Sequence, residues 1–337
     1  CALEKKLGGI RPIAVGNTFR RITSKLASAS VRSEMSSKFA PRQVGFGIQG
    51  GCEAAAHATR TFIKKNSHRK VVVVKIDFRN AFNEVDRDIF LTEMKTHCPG
   101  IYPYLRQCYA APTLLFYGDF ILLSQNGAQQ GDPCGPLVFS SAIQAVVDAL
   151  ISEFIVFYLD DGTIAGEYDS VLKDFKFIIV ECAKIGLHIN PTKCELFFCS
   201  GVDQSIVNRF DYLSPGICVV NEFTLLGAPI SDNAFETIFR NKLSEMKLLF
   251  ERLQELESYH IAFYILKNCF AIPKLVFLLR TTPTWNNTGL IAEVDSEIRS
   301  AVEYLSNATL DDDEWITASL PVNSGGIGVR RVQDTAL

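Results

Sequence analysis

Two mostly apolar runs of the chain end in acidic residues and have the length of strands. The first covers residues 71–76 and precedes Asp77, and the second covers residues 154–159 and precedes Asp160 and Asp161. A short apolar run bounded by turn residues is consistent with a strand that is buried on both faces. We therefore expect two strands that lie side by side in one sheet and hold their acidic residues at its rim.

Apolar residues recur at helical spacing over much of the remaining chain. In the first two thirds, this periodicity predicts helices over residues 18–36, 52–65, 86–96, 102–110, 135–151 and 171–185. A hairpin with the two-residue turn Gly118-Asp119 is expected between two short apolar runs. Further short strands are expected near His188, over residues 196–199 and over residues 223–227.

Strands and helices are interleaved up to about residue 230, whereas helices dominate afterwards. In the last third, helical periodicity covers residues 234–258, 261–269 and 290–306. This distribution predicts an α+β core that is followed by a helical C-terminal lobe.

Composition is that of a folded chain, with 47% hydrophobic and 21% charged residues among 337. No continuous apolar run reaches the roughly 18 residues of a membrane helix, so we expect no membrane partner. The chain begins with Cys1 rather than Met, and we expect it to be part of a longer polyprotein. The ten cysteines form no Cys-x-x-Cys pair, which favours reduced, buried thiols in an intracellular protein, nuclear or cytoplasmic.

Positive charge is concentrated at the start of the chain. Residues 1–75 contain 15 Lys and Arg against 3 Asp and Glu, which gives +12, while the remainder carries −15. From residue 231 onward, 10 basic residues stand against 15 acidic ones. Because the basic segment immediately precedes the first acidic strand, it is a candidate phosphate-binding surface. The alternative is an ordinary solvated basic face.

Asp77, Asp160 and Asp161 are candidate ligands for divalent cations. Carboxylate oxygens suit Mg²⁺, and acids from neighbouring strands share one site when the strand ends meet. A pair of such ions performs nucleotidyl transfer by stabilising the attacking and leaving oxygens. The alternative is structural, because Asp is frequent at strand ends and Asp-Gly favours a hairpin turn.

Six motifs in a characteristic order make the chain resemble a reverse transcriptase, most closely the enzymes of non-LTR retrotransposons. The resemblance spans residues 8–230. Its motifs are Arg11-Pro12-Ile13 with Arg21, Asp77 with Ala81-Phe82-Asn83, Gln130-Gly131-Asp132-Pro133, Tyr158-Leu159-Asp160-Asp161, Gly186 to Cys194, and Leu225-Leu226-Gly227.

The resemblance implies a right-hand polymerase with fingers, an antiparallel-sheet palm and a helical thumb. On this basis, residues 1–70 and 86–126 correspond to the fingers. Residues 71–85 and 127–230 correspond to the catalytic palm, and residues 231–337 to the helical thumb and a C-terminal extension.

The resemblance also implies a set of metal ligands and a proton donor. Asp77 and Asp160 would hold two Mg²⁺ ions, or Mn²⁺ in their place, with the carbonyl of Phe78 as an additional ligand. Asp161 is either a third carboxylate ligand or a residue that shapes the hairpin. Lys193 corresponds to a lysine that protonates the leaving pyrophosphate, and the alternative is an ordinary lysine in a polar loop.

The nucleotide site that the resemblance implies draws on three segments of the chain. Arg11 and Arg21 would reach the triphosphate, because guanidinium groups bind phosphate oxygens in pairs. Phe82 would lie under the sugar and exclude a 2′-OH, and Gln130 with Gly131 would lie beside the nascent base pair. The alternatives are surface charges, a core phenylalanine and an ordinary loop that caps a core helix.

These assignments imply RNA-directed DNA synthesis from a primer 3′-OH, with dNTPs, an RNA template and a DNA primer as partners. Leu225-Leu226-Gly227 would contact the primer through its backbone. The alternative is a decayed retroelement fragment that only binds nucleic acid, although all three acids are intact. An RNA-dependent RNA polymerase is disfavoured, because Phe82 would reject the 2′-OH of a ribonucleotide.

Overall fold

The computed structural model describes residues 2–4 and 10–336 and divides the chain into two compact units. The first unit is Cys1–Asn221 and the second is Glu222–Leu337. Residues 222–230, which the resemblance to polymerases places in the palm, therefore belong to the second unit. Each unit has its own hydrophobic core.

The first unit is built on a five-stranded sheet. The strands of the first unit, including those outside this sheet, are β1 (Ala2–Glu4), β2 (Ile10–Pro12), β3 (Val71–Ile76), β4 (Thr113–Tyr117), β5 (Phe120–Ser124), β6 (Phe154–Tyr158), β7 (Asp161–Glu167), β8 (Glu195–Phe198) and β9 (Cys218–Val219). The large sheet has the order β6-β7-β3-β8-β9, and its pairs are antiparallel except β8 with β9. Both strands expected from the apolar runs, β3 and β6, are in one sheet. The expectation that they lie side by side is wrong, because β7 returns from the turn after β6 and pairs with both of them.

Helices surround this sheet in the first unit. They are α1 (Thr18–Ser30), α2 (Arg32–Phe39), α3 (Gly51–Lys65), α4 (Ala81–Glu84), α5 (Arg87–His97), α6 (Tyr102–Tyr109), α7 (Gly135–Asp148), α8 (Tyr168–Lys184) and α9 (Gln204–Leu213). The helices predicted from periodicity are confirmed with shifted ends, apart from one. Residues 18–36 do not form a single helix, because the backbone leaves helical geometry at Val31 (φ −106°, ψ 3°).

The core of the first unit fixes the strand ends that carry the acidic residues. α8 lies against β3, β7 and α7, and α7 lies against α5. α7 is buried along almost its whole length, including Phe139 and Ile143. Valines 71–74 of β3 are fully buried, which accounts for the continuous apolar run in the sequence.

The second unit starts with a short hairpin and continues as helices. Its strands are β10 (Thr224–Leu225) and β11 (Ala228–Pro229), and its helices are α10 (Asp232–Gln254), α11 (Tyr259–Ile265), α12 (Ile272–Thr281), α13 (Thr288–Ser306) and α14 (Asp312–Ser319). Leu226 and Gly227 turn the hairpin with positive φ angles of +52° and +82°. The helical lobe expected from the sequence is confirmed, and β11 lies against α10 and α12.

One stretch of the second unit, Tyr259–Thr281, is long and apolar enough to cross a membrane by length and composition. No continuous apolar run of this length was expected, and Lys267 and Lys274 do interrupt the stretch. A third of its most apolar window, 33%, is buried, and Leu266 and Leu275 belong to the core of the unit. Packing inside the second unit therefore accounts for part of the apolar composition of this stretch, whereas Ile261, Tyr264 and Val276 are exposed.

The cysteines of the described chain are all unpaired. Five of them are buried, namely Cys98, Cys108, Cys134, Cys182 and Cys194. Burial raises the pKa of Cys134, Cys182 and Cys194 to about 12, so these thiols stay protonated at neutral pH. Cys218 in the first unit and Cys269 in the second are exposed. The expectation of free, mostly buried thiols is confirmed for these residues.

Candidate active site

The three acidic residues singled out from the sequence lie at one end of the central sheet. Asp77 directly follows β3, while Asp160 and Asp161 lie in and after the turn between β6 and β7. The register pairs Ile76 with Gly162, and continuing it by one position places Asp77 opposite Asp161. Antiparallel pairing of the two strands thus brings together residues that are far apart in sequence.

Electrostatics show that these carboxylates affect each other. The pKa of Asp161 is raised to about 6, first by burial and then by the negative charges of Asp160 and Asp77. Lys75 lowers this pKa, but its ammonium group is already paired with Glu195 across β3 and β8 at 2.7 Å. The site therefore concentrates negative charge that a bound cation would compensate.

The backbone on either side of Asp77 is held by the segment after α8. The Asn190 amide donates to the Asp77 carbonyl, and the Arg79 amide donates to the His188 carbonyl, both at 2.8 Å. This antiparallel bridge pairs Phe78 with Ile189 without engaging the carbonyl of Phe78 in its hydrogen bonds. The Phe78 carbonyl oxygen, next to Asp77, is therefore not used by the hydrogen bonds of this bridge.

Lys193 directly precedes Cys194, which contacts the backbone of Asp77. It ends a short 3₁₀ turn, Pro191–Lys193, and its side chain is exposed. The next residue, Cys194, is buried and accepts the amide N–H of Asp77 through its Sγ at 3.4 Å. The structure therefore brings Lys193 to the side of the molecule where Asp77 ends β3.

Phe82 is held against the core helix α7. Its ring stacks on Phe139 with centroids 4.7 Å apart and planes 10° apart, and the residue is half-buried. The Phe82 carbonyl accepts the Ala128 amide at 2.7 Å. Gly127 packs so closely that an added Cβ would lie 2.3 Å from that carbonyl oxygen. The short helix after Asp77 and the loop that leads to Gln130 are thus locked together.

Gln130 and Gly131 lie against the segment that follows β2. The Ala14 amide donates to the Gln130 carbonyl at 2.8 Å. Gly131 has φ +109°, and an added Cβ would lie 2.7 Å from the Ala14 carbonyl oxygen. A close backbone approach was expected at Gly131, and here the approaching group is the chain's own Ala14.

Asp132 organises a polar cluster behind this loop. Its buried carboxylate accepts the Tyr109 hydroxyl at 2.9 Å and the Cys134 amide at 2.9 Å. It also pairs with the guanidinium group of Arg20 at 3.2 Å. Burial and the charge of Asp132 raise the pKa of Tyr109, so this phenol remains a hydrogen-bond donor.

The structure separates two arginines that the sequence does not distinguish. Arg20 is committed to Asp132 and lies 5.7 Å from the centre of the Tyr109 ring. Arg21 on the same helix is exposed to solvent. The backbone of Arg11 lies in β2, but its side chain falls outside the described part of the chain.

Arg87 is a structural residue of the site that the sequence did not suggest. It is 8% exposed and donates to the carbonyls of Ser124, Asn126 and Gly127. Its guanidinium group also lies 5.4 Å from the centre of the Tyr109 ring. Burial lowers its pKa, and every acceptor it uses is neutral. Arg87 therefore anchors the start of the loop that carries Gln130 and Gly131.

The donor set at the end of the sheet fits a hard divalent cation. Among the described residues, no group of three or more His, Cys, Asp or Glu side chains forms a metal cage. Mg²⁺ in phosphate-handling sites is usually bound by one or two carboxylates together with water and substrate phosphates, rather than by a complete protein cage. Clustered carboxylates, of which Asp161 has a raised pKa, and a neighbouring carbonyl match that pattern.

The chain is similar to known proteins over most of its length. A family model described as reverse transcriptase (RNA-dependent DNA polymerase) matches residues 3–230. A retrotransposable element SLACS 132 kDa protein from Trypanosoma brucei gambiense is 26% identical over 99% of this chain. The chain spans 28% of the length of that relative.

Solved structures of telomerase from Candida tropicalis are also similar. One, in complex with a TWJ fragment of telomeric RNA, has a TM-score of 0.49 at 12% identity over 90% of this chain and 63% of that chain. The apo telomerase has a TM-score of 0.46 at 14% identity over 87% of this chain and 50% of that chain.

The family model covers two thirds of the chain, including every motif on which the resemblance was based. Together with the retrotransposable-element relative, it confirms the expected reverse transcriptase of non-LTR type. The mixed helix and sheet architecture agrees with the α+β fold expected for such a polymerase. On the strength of this match, the chain belongs to the reverse transcriptase (RNA-dependent DNA polymerase) family.

Proposed function

We propose that this chain is the RNA-directed DNA polymerase of a retroelement. It extends the 3′-OH of a DNA primer with dNMP units on an RNA template. The observation that carries the proposal is the placement of Asp77, Asp160 and Asp161 at one end of the sheet, where the first two raise the pKa of the third. Membership of the reverse transcriptase family supports the same conclusion.

Asp77 and Asp160 would hold two Mg²⁺ ions, or Mn²⁺ in their place, with the Phe78 carbonyl as a further ligand and Asp161 as a third carboxylate. When bound, these ions would stabilise the negative charge on the 3′-oxygen, the transferring phosphate and the leaving pyrophosphate. The rigid sheet and the bridge to residues 188–190 keep the ligand oxygens in place before the substrate binds.

Other residues of the chain bind the nucleotide and move a proton. Arg11 and Arg21 bind the triphosphate, and the exposure of Arg21 leaves its guanidinium group accessible to it. Lys193, exposed beside Cys194, donates a proton to the leaving pyrophosphate oxygen. Arg20 has a different task, because its ion pair with Asp132 stabilises the loop.

Phe82 and the Gln130-Gly131 loop select the substrate. The Phe82 ring, fixed by its stacking on Phe139, lies under the deoxyribose and leaves no room for a 2′-OH. Gln130 contacts the nascent base pair, and the positive φ of Gly131 sets the course of the loop there. Arg87 supports this selection by holding the preceding turn.

We assign residues 1–70 and 86–126 to fingers, 71–85 and 127–230 to a palm, and 231–337 to a thumb with a C-terminal extension. The Leu225-Leu226-Gly227 turn contacts the primer backbone. An RNA/DNA hybrid is the macromolecular partner, and the chain is part of a longer retroelement polyprotein, as the length of its relative suggests.

Two lysines on the proposed thumb have their positive charges paired with nearby glutamates. Lys242 pairs with Glu245 at 3.0 Å, and Lys247 pairs with Glu297 at 2.7 Å. Exposed Arg252 lies on the same helix, α10. Contact of the second unit with a hybrid therefore depends more on shape and backbone groups than on these two lysines.

Primer extension tests the proposal directly. Poly(rA) primed with oligo-dT and supplied with labelled dTTP should give Mg²⁺-dependent products that EDTA abolishes, and Asp77→Asn should give none. Filter binding of the same hybrid is measured in parallel. Binding without extension in Mg²⁺ or Mn²⁺ would identify a decayed fragment, and efficient use of UTP in place of dTTP would identify an RNA polymerase.

A further inference from the structure

The turn that carries Asp160 has a backbone conformation that its residues do not favour. Tyr158 pairs with Asp161, so Leu159 and Asp160 form a two-residue turn. Leu159 has φ +58°, in the left-handed region. The first central position of such a turn is normally occupied by glycine, because a Cβ is strained there. Something outside the hairpin must therefore hold Leu159.

The side chain of Gln43 satisfies both backbone groups of Leu159. Its Oε1 accepts the Leu159 amide at 2.8 Å, and its Nε2 donates to the Leu159 carbonyl at 3.2 Å. The same Oε1 accepts the Gly45 amide at 3.0 Å. Gln43 is fully buried, so water does not compete for these hydrogen bonds.

The segment around Gln43 is itself anchored to the sheet and to α7. The Phe157 amide donates to the Arg42 carbonyl at 2.6 Å, and the Val44 amide donates to the Phe157 carbonyl at 2.8 Å. The Arg42 guanidinium group donates to the carbonyls of Val147 and Leu150 at the end of α7. Residues 42–44 thus form an isolated parallel bridge to β6, at the edge of the sheet.

Gly45 packs closely against Leu159 as well. An added Cβ at Gly45 would lie 2.5 Å from the Leu159 nitrogen and 2.7 Å from its Cγ. Only a residue without a side chain permits this approach. The Leu159 side chain fills the space that the glycine leaves, which fixes the turn from a second direction.

We propose that Gln43 and Gly45 are positioning residues that hold the Leu159-Asp160 turn and thereby keep the Asp160 carboxylate in place to bind a catalytic cation. This inference rests on the proposed function. Neither residue touches the substrate, and both act through Leu159. A displacement of about 1 Å in a catalytic group costs on the order of 10²-fold in rate, so a brace at this turn has a large effect on turnover.

Steady-state primer extension separates this role from general stability. Gln43→Ala should lower kcat by about 10- to 100-fold and change the KM for dTTP by less than about threefold. Gln144→Ala is the matched control, because Gln144 is also buried in the first unit and donates to Asp148 instead of to the turn. Equal losses of kcat in the two variants, in proportion to their losses of stability, would overturn the proposal.

Rescue provides a result that a purely structural role would not produce. In the Gln43→Ala background, Leu159→Gly should recover part of the lost kcat, because glycine adopts positive φ without support. A double variant as slow as Gln43→Ala, or slower, would contradict the brace.

Hydrogen exchange gives a readout that is independent of activity. The Leu159 and Gly45 amides should be protected in the parent and should exchange at least about tenfold faster in Gln43→Ala, but not in Gln144→Ala. Unchanged protection would overturn the brace even in an active enzyme. If the parent protein does not extend primers, the proposed function fails, while the exchange experiment still decides whether Gln43 holds the turn.

Discussion

Two hairpins of the first unit, β4–β5 and β6–β7, have two-residue turns whose first residue has nearly the same positive φ. In β4–β5 the turn is Gly118-Asp119 and Gly118 has φ +57°. In β6–β7 the turn is Leu159-Asp160 and Leu159 has φ +58°. An added Cβ at Gly118 would meet nothing within 4 Å, whereas Leu159 is enclosed by Gln43 and Gly45.

The difference lies in where each turn obtains its conformation. A glycine in the first turn makes the left-handed geometry available locally, and most side chains of that hairpin stay exposed. A leucine in the second turn requires support from residues more than a hundred positions away. Support of this kind ties the acidic turn to the core, so that an aspartate is held more rigidly than glycine would allow.

Replacing the aspartate at the second position of each turn by asparagine should give the largest difference in activity between the two hairpins. Asp160→Asn is expected to reduce primer extension by about 10³-fold or more, because a carboxylate that binds the catalytic cations is lost. Asp119→Asn, at the matching position of β4–β5, should stay within about twofold of the parent. Similar activity of the two variants in a dTTP incorporation assay would remove Asp160 from the site.

Adding a methyl group at Gly45, which packs against the Leu159-Asp160 turn, should have the next largest effect on activity. Gly45→Ala is expected to lower kcat by about 10- to 100-fold and to destabilise the protein by about 1 to 3 kcal/mol, because the Cβ would overlap Leu159. Gly100→Ala is the control, since a Cβ there meets nothing within 4 Å. Denaturant unfolding and steady-state kinetics measure both quantities, and a Gly45→Ala protein like the parent would show that the turn tolerates displacement.

Removing a charge from the acidic hairpin should stabilise the metal-free protein. In EDTA at neutral pH, Asp161→Asn is expected to raise the free energy of unfolding by about 1 to 3 kcal/mol, since one pKa unit corresponds to about 1.4 kcal/mol. The reason is that burial, Asp160 and Asp77 all disfavour an ionised Asp161. Asp119→Asn in the exposed hairpin should change nothing measurable. A destabilised Asp161→Asn protein would mean that Asp161 shapes the turn.

Replacing Gly118 in the β4–β5 turn by leucine, the residue at the matching position of the β6–β7 turn, should have the smallest effect on stability. Gly118→Leu imposes a Cβ at φ +57° without any brace, at a cost of about 1 kcal/mol. Hydrogen exchange within β4 and β5 should accelerate, while the melting temperature of the protein should change little. An unaltered exchange rate would imply that leucine tolerates this turn unaided, and the argument for a brace at Leu159 would weaken accordingly.

Much of the fold follows from local patterns in the sequence. Val71–Ile76 shows a buried strand directly, and the Gly118-Asp119 turn was found because glycine marks positive φ. Pro273 lies in the first turn of α12, where proline is well tolerated. α9 was missed although Asp203 caps its first turn by accepting the Ser205 amide.

The rest depends on contacts between distant segments. The acids of the site were found because each follows an apolar run, but Gln43 and Arg87 carry no local mark of their roles. Each is an ordinary polar residue until folding places a backbone turn beside it. The interruption of the first helix at Val31 is similar, since neither glycine nor proline precedes it there. Such features become visible only in three dimensions.

The distribution of thiols offers a way to watch the two units in solution. Cys218 and Cys269 are exposed and lie in different units, whereas the five buried cysteines are shielded from reagents. Maleimide dyes should therefore attach preferentially at these two positions once half-buried Cys52 and Cys199 have been replaced by serine, together with Cys1. Energy transfer between the dyes would then report how the separation of the units changes when a primed template is added.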